Sequence, residues 1–501
     1  MLDVDQRKLY EDAPIDGAIL ITGPPGTGKT VIAAHRAIKL SRLGNSVVLG
    51  MFNKVLRRYT SHAGQLELIK VVNMDRWIQS WYKSAFGRNL PRLQSGAGYQ
   101  PTNWRRVIAD INECDDINII NKLNWGHLII DEGQDFPKEM YRAFIQCMRH
   151  KLHSDQNRPS ITVFADENQT ITDNNSSIFD LMEELNASVE NSRLWRLDKN
   201  YRNSLEIAKF SRHFQVAGST SAELPTRTTG NKPVIFFDSD VDRPLRQIVN
   251  MTVNLGSIDV GVLVFGRKAD VKRVYAGINR EVLSGNKNCR VQFYTSDKND
   301  PVSSNEENLI FGSPPSITVV HFMSSKGLEF DTVFVENTRA LEARDSGEIS
   351  SFKSLYVASS RARDSLFYFF SADPSRNCYP EALRLMPDPS ASLSDFISTV
   401  GDEVDLESMF DEVDWCDSAY EYKRHYLKKN KFFAPIIEAA KHPDKKALMI
   451  KNLTTFAENS FMAEKLMGVI LEKFNDHDSF VDIAVEFGDE KQLLNILLAE
   501  K

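Results

Sequence analysis

Gly17-Ala18-Ile19-Leu20-Ile21-Thr22-Gly23-Pro24-Pro25-Gly26-Thr27-Gly28-Lys29-Thr30 is the stretch on which the reading of the fold turns. A short apolar run predicts a strand, and a glycine-rich loop follows it. Val31-Ile32-Ala33-Ala34-His35-Arg36-Ala37-Ile38 continues as a helix. G-x-x-x-x-G-K-T between a strand and a helix is the setting that validates a phosphate-binding loop. Glycines let backbone N–H groups turn toward phosphate oxygens, aided by the positive end of the helix. Gly23, Pro24, Pro25, Gly26, Thr27 and Gly28 would form the cradle. Lys29 would reach the β and γ phosphates of ATP, and Thr30 would ligate Mg²⁺. The bland alternative is a glycine turn that binds nothing, which leaves Lys-Thr at the helix start without a purpose.

A second strand, Trp125-Gly126-His127-Leu128-Ile129-Ile130, ends in Asp131-Glu132. An apolar strand ending in two acids puts them at the carboxyl edge of a parallel sheet, where ligands bind. Asp131 would hold the Mg²⁺ shell and Glu132 would orient or deprotonate the attacking water. A D-E pair by itself is usually a solvated loop. Behind a phosphate loop it points to NTP hydrolysis.

Further motifs follow in order. Gly133-Gln134-Asp135-Phe136 completes D-E-x-Q-D. Ile161-Thr162-Val163-Phe164-Ala165 runs into Asp166-Glu167-Asn168-Gln169. Leu197-Asp198-Lys199-Asn200-Tyr201-Arg202-Asn203-Ser204 opens a helix. Ser325-Lys326-Gly327-Leu328-Glu329-Phe330-Asp331 and Leu355-Tyr356-Val357-Ala358-Ser359-Ser360-Arg361-Ala362-Arg363 come last. In this order, over roughly Gln6 to Phe370, the set resembles superfamily 1 helicases, specifically the UvrD/Rep-like branch.

The resemblance implies roles residue by residue. Gln6 sits where the family's adenine-reading glutamine lies. Tyr201 matches the aromatic that stacks on the base, and Glu329 the acid that contacts the nucleotide sugar. Gln169 matches the γ-phosphate sensor. Arg202 and Arg361 match two arginines that stabilise transition-state charge and couple hydrolysis to closure. Taken singly, either arginine would more often be a surface salt bridge. A small-molecule kinase built on the same loop would offer no reason for Gln134, Arg202 or Arg361 at these spacings.

The nucleic-acid side departs from the family. In the family's T-x-H-x-x-K-G-L-E, Met323 stands where the histidine should be, and His321 lies five residues before Lys326. The family's T-x-H-x-F reads Asn73-Met74-Asp75-Arg76-Trp77 here. After Gln169 the chain reads Thr170-Ile171-Thr172-Asp173-Asn174-Asn175, where the family places base-stacking aromatics. Stacking is worth about 1–3 kcal/mol per base, so their loss should weaken or relocate the DNA track. Phe52-Asn53-Lys54 still resembles the family's first DNA motif. Arg57, Arg58, Arg76, Lys83, Arg88, Arg92, Arg105 and Arg106 interleave with Trp77, Trp81, Tyr82 and Trp104. They read either as a nucleic-acid surface or as a solvated basic face over core tryptophans.

Charge divides the chain. The formal net charge is −7 over 501 residues. Residues 391–501 hold 22 acidic and 13 basic residues, so the rest is close to neutral. The total therefore does not exclude nucleic acid. Gly401 to Ser418 holds eight acids and no base, interrupted by Met409, Phe410, Val413 and Trp415. It reads as a solvated linker or as a docking module for a protein partner. Helical spacing then recurs, for example over Ala463 to Phe474 and Lys491 to Leu498. Five scattered cysteines without a C-x-x-C pair suggest reduced cytoplasmic thiols. No run of 18 apolar residues appears, so no membrane segment is expected.

These readings predict an α/β fold of two RecA-like P-loop NTPase domains, with parallel sheets flanked by helices, plus a C-terminal helical domain. Domain 1A would span 1–196 with a small helical insert at about 78–127. Domain 2A would span 197–390, and an acidic linker with a helical domain 391–501. Only Thr295 to Ser316 separates the strand Arg290–Tyr294 from the next, too short for the second large insertion of bigger relatives. The ATP site is expected in the cleft between the two motor domains. The function implied is an ATP-dependent DNA helicase or translocase of 3′-to-5′ polarity, working on single-stranded or partly duplex DNA. The alternative is an ATP-gated regulatory subunit that switches a partner, such as a nuclease of an anti-phage complex, through residues 391–501.

Overall fold

The computed structural model describes residues 2–51, 69–93, 100–153, 158–166, 176–216, 222–238, 242–256, 258–295, 309–311, 315–341, 347–371 and 381–398, and parts of 410–498. The chain forms two compact units, one carried by residues 1–198 and the other by residues 199–452.

The first unit is a parallel sheet of β1 (Ala18–Thr22), β2 (Val47–Met51), β3 (Lys70–Asn73), β4 (His127–Asp131), β5 (Ser160–Ala165) and β6 (Leu194–Arg196). Its order is β3-β2-β4-β5-β1-β6. β1, β4 and β5 are apolar runs without polar alternation, as expected of strands covered on both faces. Alternate residues go to opposite sides. Leu20, Leu128, Ile130, Ile161 and Val163 join one core cluster. Ile19, Ile21, Ile129 and Phe164 join another, against the helix Lys29–Arg42.

The helix Met74–Phe86 shows how the insert is built. Asn73 caps it by accepting from the Arg76 N–H at 3.2 Å, and Gly87 ends it in the left-handed region at φ 68°. Trp77, Ile78, Trp81, Tyr82 and Ala85 form its buried face. Trp77 and Trp81 stack on each other and meet Trp125 and Phe144 edge-on. Asp110, on the helix Trp104–Asn112, accepts from the Tyr82 hydroxyl and pairs with Arg88 at 2.6 Å and Arg106 at 2.7 Å.

A polar knot lies inside this unit. Arg36 Nε donates to Thr162 Oγ1 at 3.0 Å, and the ring Nε2 of His127 lies 2.9 Å from the same oxygen. Thr162 Oγ1 thus joins Arg36 to His127, and a buried ring this close to the Arg36 charge is neutral. Burial, then the Arg36 charge, brings the His127 pKa down to about 3. A histidine lowered on folding leaves the unfolded chain binding more protons between that value and about 6.5. Stability is therefore lost as pH falls below about 6.5. One such group costs about 1.4 kcal/mol at a pH one unit under its unfolded value. Denaturant unfolding should show this loss between neutral and mildly acidic pH, and His127→Asn should reduce it. An undiminished pH effect in His127→Asn would place the effect elsewhere.

The second unit is a parallel sheet of β7 (Val234–Asp238), β8 (Asp259–Val264), β9 (Arg290–Tyr294), β10 (Ser316–His321), β11 (Phe330–Glu336), β12 (Ala362–Ser371) and β13 (Asp395–Ser398). Its order is β13-β7-β12-β11-β8-β10-β9. Val260, Val262, Val264, Ile317 and Val319 pack under the helices Arg243–Leu255 and Lys268–Ser284. The fold is thus two RecA-like sheets flanked by helices. β13 extends the second sheet past residue 390, where a short, half-exposed strand had no apolar signature. Helices Ala419–Lys429 and Pro443–Glu458 follow. Most of the acidic stretch 401–418, the segment Ala463 to Phe474 and most of Lys491 to Leu498 lie outside the described residues.

Among the described residues, no helix is long and apolar enough to cross a membrane. The four described cysteines are free thiols.

Candidate active site

β1, β4 and β5 all present their carboxyl ends at one edge of the first sheet. Thr22 on β1 is level with Ala165 on β5, and Ile130 on β4 with Val163. The residues that follow those ends, Gly23, Asp166 and Asp131-Glu132, are thereby gathered together. The Gly23 N–H donates to the Ala165 carbonyl at 3.2 Å. Gly26 and Gly28 take φ of 82° and 85°, in the left-handed region that side chains disfavour. A Cβ on Gly28 would also meet Gln6 Nε2 at 2.6 Å.

Lys29 folds back over the loop. Its Nζ donates to the Gly23 carbonyl at 2.5 Å and to the Pro24 carbonyl at 3.0 Å, and lies 3.4 Å from Asp166 Oδ2. Thr27 Oγ1 donates to the Pro24 carbonyl at 2.9 Å. Thr30 Oγ1 donates to Asp131 Oδ2 at 2.7 Å, so the two expected Mg²⁺ ligands adjoin. Burial, then the neighbouring Glu132 charge, pushes the Asp131 carboxyl above its ordinary range, against the Thr30 hydrogen bond and the Lys29 charge. Two buried carboxylates held side by side suit a divalent cation.

Glu132 is buried with its backbone at φ 54°, ψ 46°, sparse for a residue with a side chain. Its Oε2 accepts from Gln134 Nε2 at 2.7 Å. The turn Gly133–Asp135 is fixed by the Tyr141 hydroxyl, which donates to the Gly133 carbonyl at 2.6 Å. Gln6 belongs to a capping box with Asp3, and its Nε2 donates to the Thr27 carbonyl at 3.1 Å, beside the loop.

The remaining nucleotide candidates lie in the second unit. Tyr201 is 46% exposed. Arg202 NH2 donates to Glu329 Oε1 at 2.7 Å and its NH1 to the Ser360 carbonyl at 3.2 Å. Arg363 holds the other Glu329 oxygen at 3.0 Å and Asp331 at 3.3 Å. Burial alone would raise the Glu329 pKa, but the charges of Arg202 and Arg363 overcome it and bring it down to about 2. Arg361 is 1% exposed; its Nε donates to the Val357 carbonyl at 3.0 Å and its NH2 to Ser360 Oγ at 3.0 Å. In this conformation it caps its own preceding helix.

The nucleic-acid candidates divide. Phe52, Asn53, Lys54, Arg57 and Arg58 lie outside the described residues, as does Gln169. Arg76 is exposed. Trp77 is 7% exposed, and Trp81, Tyr82 and Trp104 are also buried, in line with the alternative of core tryptophans beneath a basic face. Their helical spacing is that of a core face. His321 is half-buried, with Nε2 3.1 Å from the Gly266 carbonyl and Nδ1 accepting from the Met323 N–H at 3.3 Å. A cavity of about 1040 Å³ opens in the first unit over Ile78, Leu90, Phe136 and Met140, with Arg92 and Arg105 also lining it.

Three partners escaped the motif reading. Asp166 had a signal, because it ends an apolar strand as Asp131 does. The bonds of Gln134 and the Arg363–Glu329 pair had none, because each depends on side-chain geometry that the motif spacing does not fix.

No family model and no curated protein matches the chain. Among solved structures, the C-terminal domain of a possible DNA helicase from Lactobacillus plantarum WCFS1 is 17% identical, at a TM-score of 0.27, over 39% of this chain and 97% of that one. A structure of Pif1 helicases, described for DNA unwinding at forked double-stranded DNA, is 14% identical, at a TM-score of 0.36, over 73% of this chain and 92% of that one. Likeness this distant leaves function to be argued from the residues.

Proposed function

We propose that the chain is an ATP-dependent DNA helicase or translocase of the superfamily 1 type, hydrolysing ATP at the loop Gly23–Thr30. One observation carries this reading: Lys29, Thr30, Asp131, Glu132 and Asp166 meet at one sheet edge, beside a loop whose glycines hold left-handed backbone. Backbone N–H groups of the loop and Lys29 would bind the phosphates. Thr30 and Asp131 would hold Mg²⁺, which when bound neutralises phosphate charge. Glu132 would take the proton of the attacking water. Gln6, Tyr201 and Glu329 would bind the base and sugar, and Gln169, Arg202 and Arg361 would answer to the γ phosphate, as the resemblance assigns them. Arg361 must leave the Val357 carbonyl to do so. DNA as substrate and 3′-to-5′ polarity come from the resemblance. Arg76 and Arg105 are exposed cations suited to phosphate contact, and His321 stands at the carboxyl end of β10. The division at residues 196 and 390 is part of the same proposal.

ATP turnover measured alone and with single-stranded DNA, duplex DNA and RNA tests it. Stimulation by single-stranded DNA, together with strand displacement, is expected. Turnover that DNA leaves unchanged overturns the helicase reading.

The buried tryptophans favour one second reading, an ATP-gated regulatory subunit that acts without processive unwinding. Phe410 and Trp415, within the acidic stretch, pack on Phe396 of β13 at ring distances of 4.9 and 6.0 Å. Residues 391–501 would carry the partner, a nuclease being the proposed kind. Capture of a nuclease that is lost on removing 399–501, which leaves β13 in its sheet, supports it; a chain that binds nothing either way sinks it.

A further inference from the structure

Gln134 has a place that the phosphate-loop reading leaves unexplained. It lies in the turn Gly133–Asp135 and is 0% exposed. Its Nε2 donates to Glu132 Oε2 at 2.7 Å. Its Oε1 accepts the Asp166 N–H at 2.9 Å. Its main-chain carbonyl accepts the Ser176 N–H at 3.1 Å, and Ser176 Oγ donates to the Phe136 carbonyl at 2.6 Å. One residue therefore touches the proposed base, the end of β5 and Ser176. Asp166 in turn faces Lys29 at 3.4 Å.

The amide geometry makes these contacts interdependent. Nε2 and Oε1 are fixed in one plane, so a rotation that follows the Asp166 N–H moves the donor that holds Glu132. A buried amide cannot release either partner to water, and each unmet polar group there costs about 1–3 kcal/mol. The left-handed backbone of Glu132 aims its carboxylate from a tight turn, where small displacements move the oxygens directly.

We propose that Gln134 is a positioning residue for hydrolysis: it fixes the Glu132 carboxylate and ties its place to the carboxyl end of β5. The inference rests on the ATPase reading. It makes turnover sensitive to any shift of Asp166 that Lys29 or its ligand causes.

Gln134→Met keeps the side-chain length and removes both hydrogen bonds. Gln134→Glu keeps the acceptor for Asp166 and sets a second carboxyl against Glu132, which repels it when ionised and shares its proton when protonated, so that either form disturbs the base. Misplacing a reacting group by about 1 Å can cost about 10²-fold. Both variants are expected to lose kcat on that order while KM for ATP and the affinity for a fluorescent ATP analogue stay near wild type. In a Glu132→Gln background, single-turnover rates should show Gln134→Met costing little more, because the carboxylate it serves is gone. A general packing defect would add its cost in both backgrounds. Should Gln134→Met not fold, Gln134→Glu decides. Wild-type kcat in Gln134→Glu, a loss confined to KM, or full additivity with Glu132→Gln overturns the inference. A wild-type chain without turnover overturns the ATPase reading and this inference with it; wild-type turnover matched by the Gln134 variants overturns the inference alone.

Discussion

Lys29→Ala is expected to lower ATP turnover by roughly 10²–10³-fold, the cost of removing one charged donor from a preorganised phosphate site. Its ammonium lies within 2.5–3.0 Å of the Gly23 and Pro24 carbonyls. It crosses the mouth of the loop where phosphate oxygens would lie. The variant should also be less stable. Asp166 is fully buried on its side chain, and Lys29 is its partner at 3.4 Å. Withdrawing one member of a buried pair removes part of what compensates the other charge. Separation at this length is loose, so a loss of about 1–3 kcal/mol is expected, below that of a tight pair. Adding Asp166→Asn should recover most of the stability and none of the turnover. Denaturant unfolding and ATPase rates of the two single variants and the double variant check both halves. Turnover that survives Lys29→Ala would remove the loop from the chemistry. Stability that Asp166→Asn does not restore would remove the pair from the fold.

The parts of this arrangement legible in the sequence are those set by local pattern. β1, β4 and β5 are apolar runs because helices cover both their faces, and that pattern survives without neighbours. Gly26, Gly28, Lys29 and Thr30 are legible because backbone geometry and charge demand those types at that spacing. β6 and β13 were not, at three and four residues with partial burial. Trp77 and Trp81 were ambiguous: helical spacing places them on one face, and spacing alone does not say whether that face meets protein or nucleic acid. Trp125 and Phe144, brought in from other elements, settle it. Arg361 reads as a phosphate arginine in its motif and is found capping its own helix. Glu329 reads as a sugar contact and is found between Arg202 and Arg363. The Glu329 pairs arise from tertiary placement, which no run of residues encodes.

Glu132→Gln should separate binding from hydrolysis more cleanly than any other substitution in the chain. General base catalysis contributes roughly 10²–10⁴-fold, and an amide cannot take a proton from water near neutral pH. The replacement is isosteric, and its carbonyl oxygen can still accept from Gln134 Nε2, so the turn Gly133–Asp135 should hold. The loop, Lys29, Thr30 and Asp131 are untouched, and one negative charge beside Asp131 is gone. That charge is the second cause, after burial, of the raised Asp131 pKa. Asp131 should therefore ionise more readily in the variant. The affinity for ATP should be retained or raised while turnover falls by two to four orders of magnitude. Equilibrium binding of a fluorescent ATP analogue and steady-state phosphate release measure the two sides. A parallel loss of binding would mean that Glu132 supports the loop's shape. Near-normal turnover would mean that the water is activated by another group, and Asp166, buried across from Lys29, would then be the carboxylate to replace next.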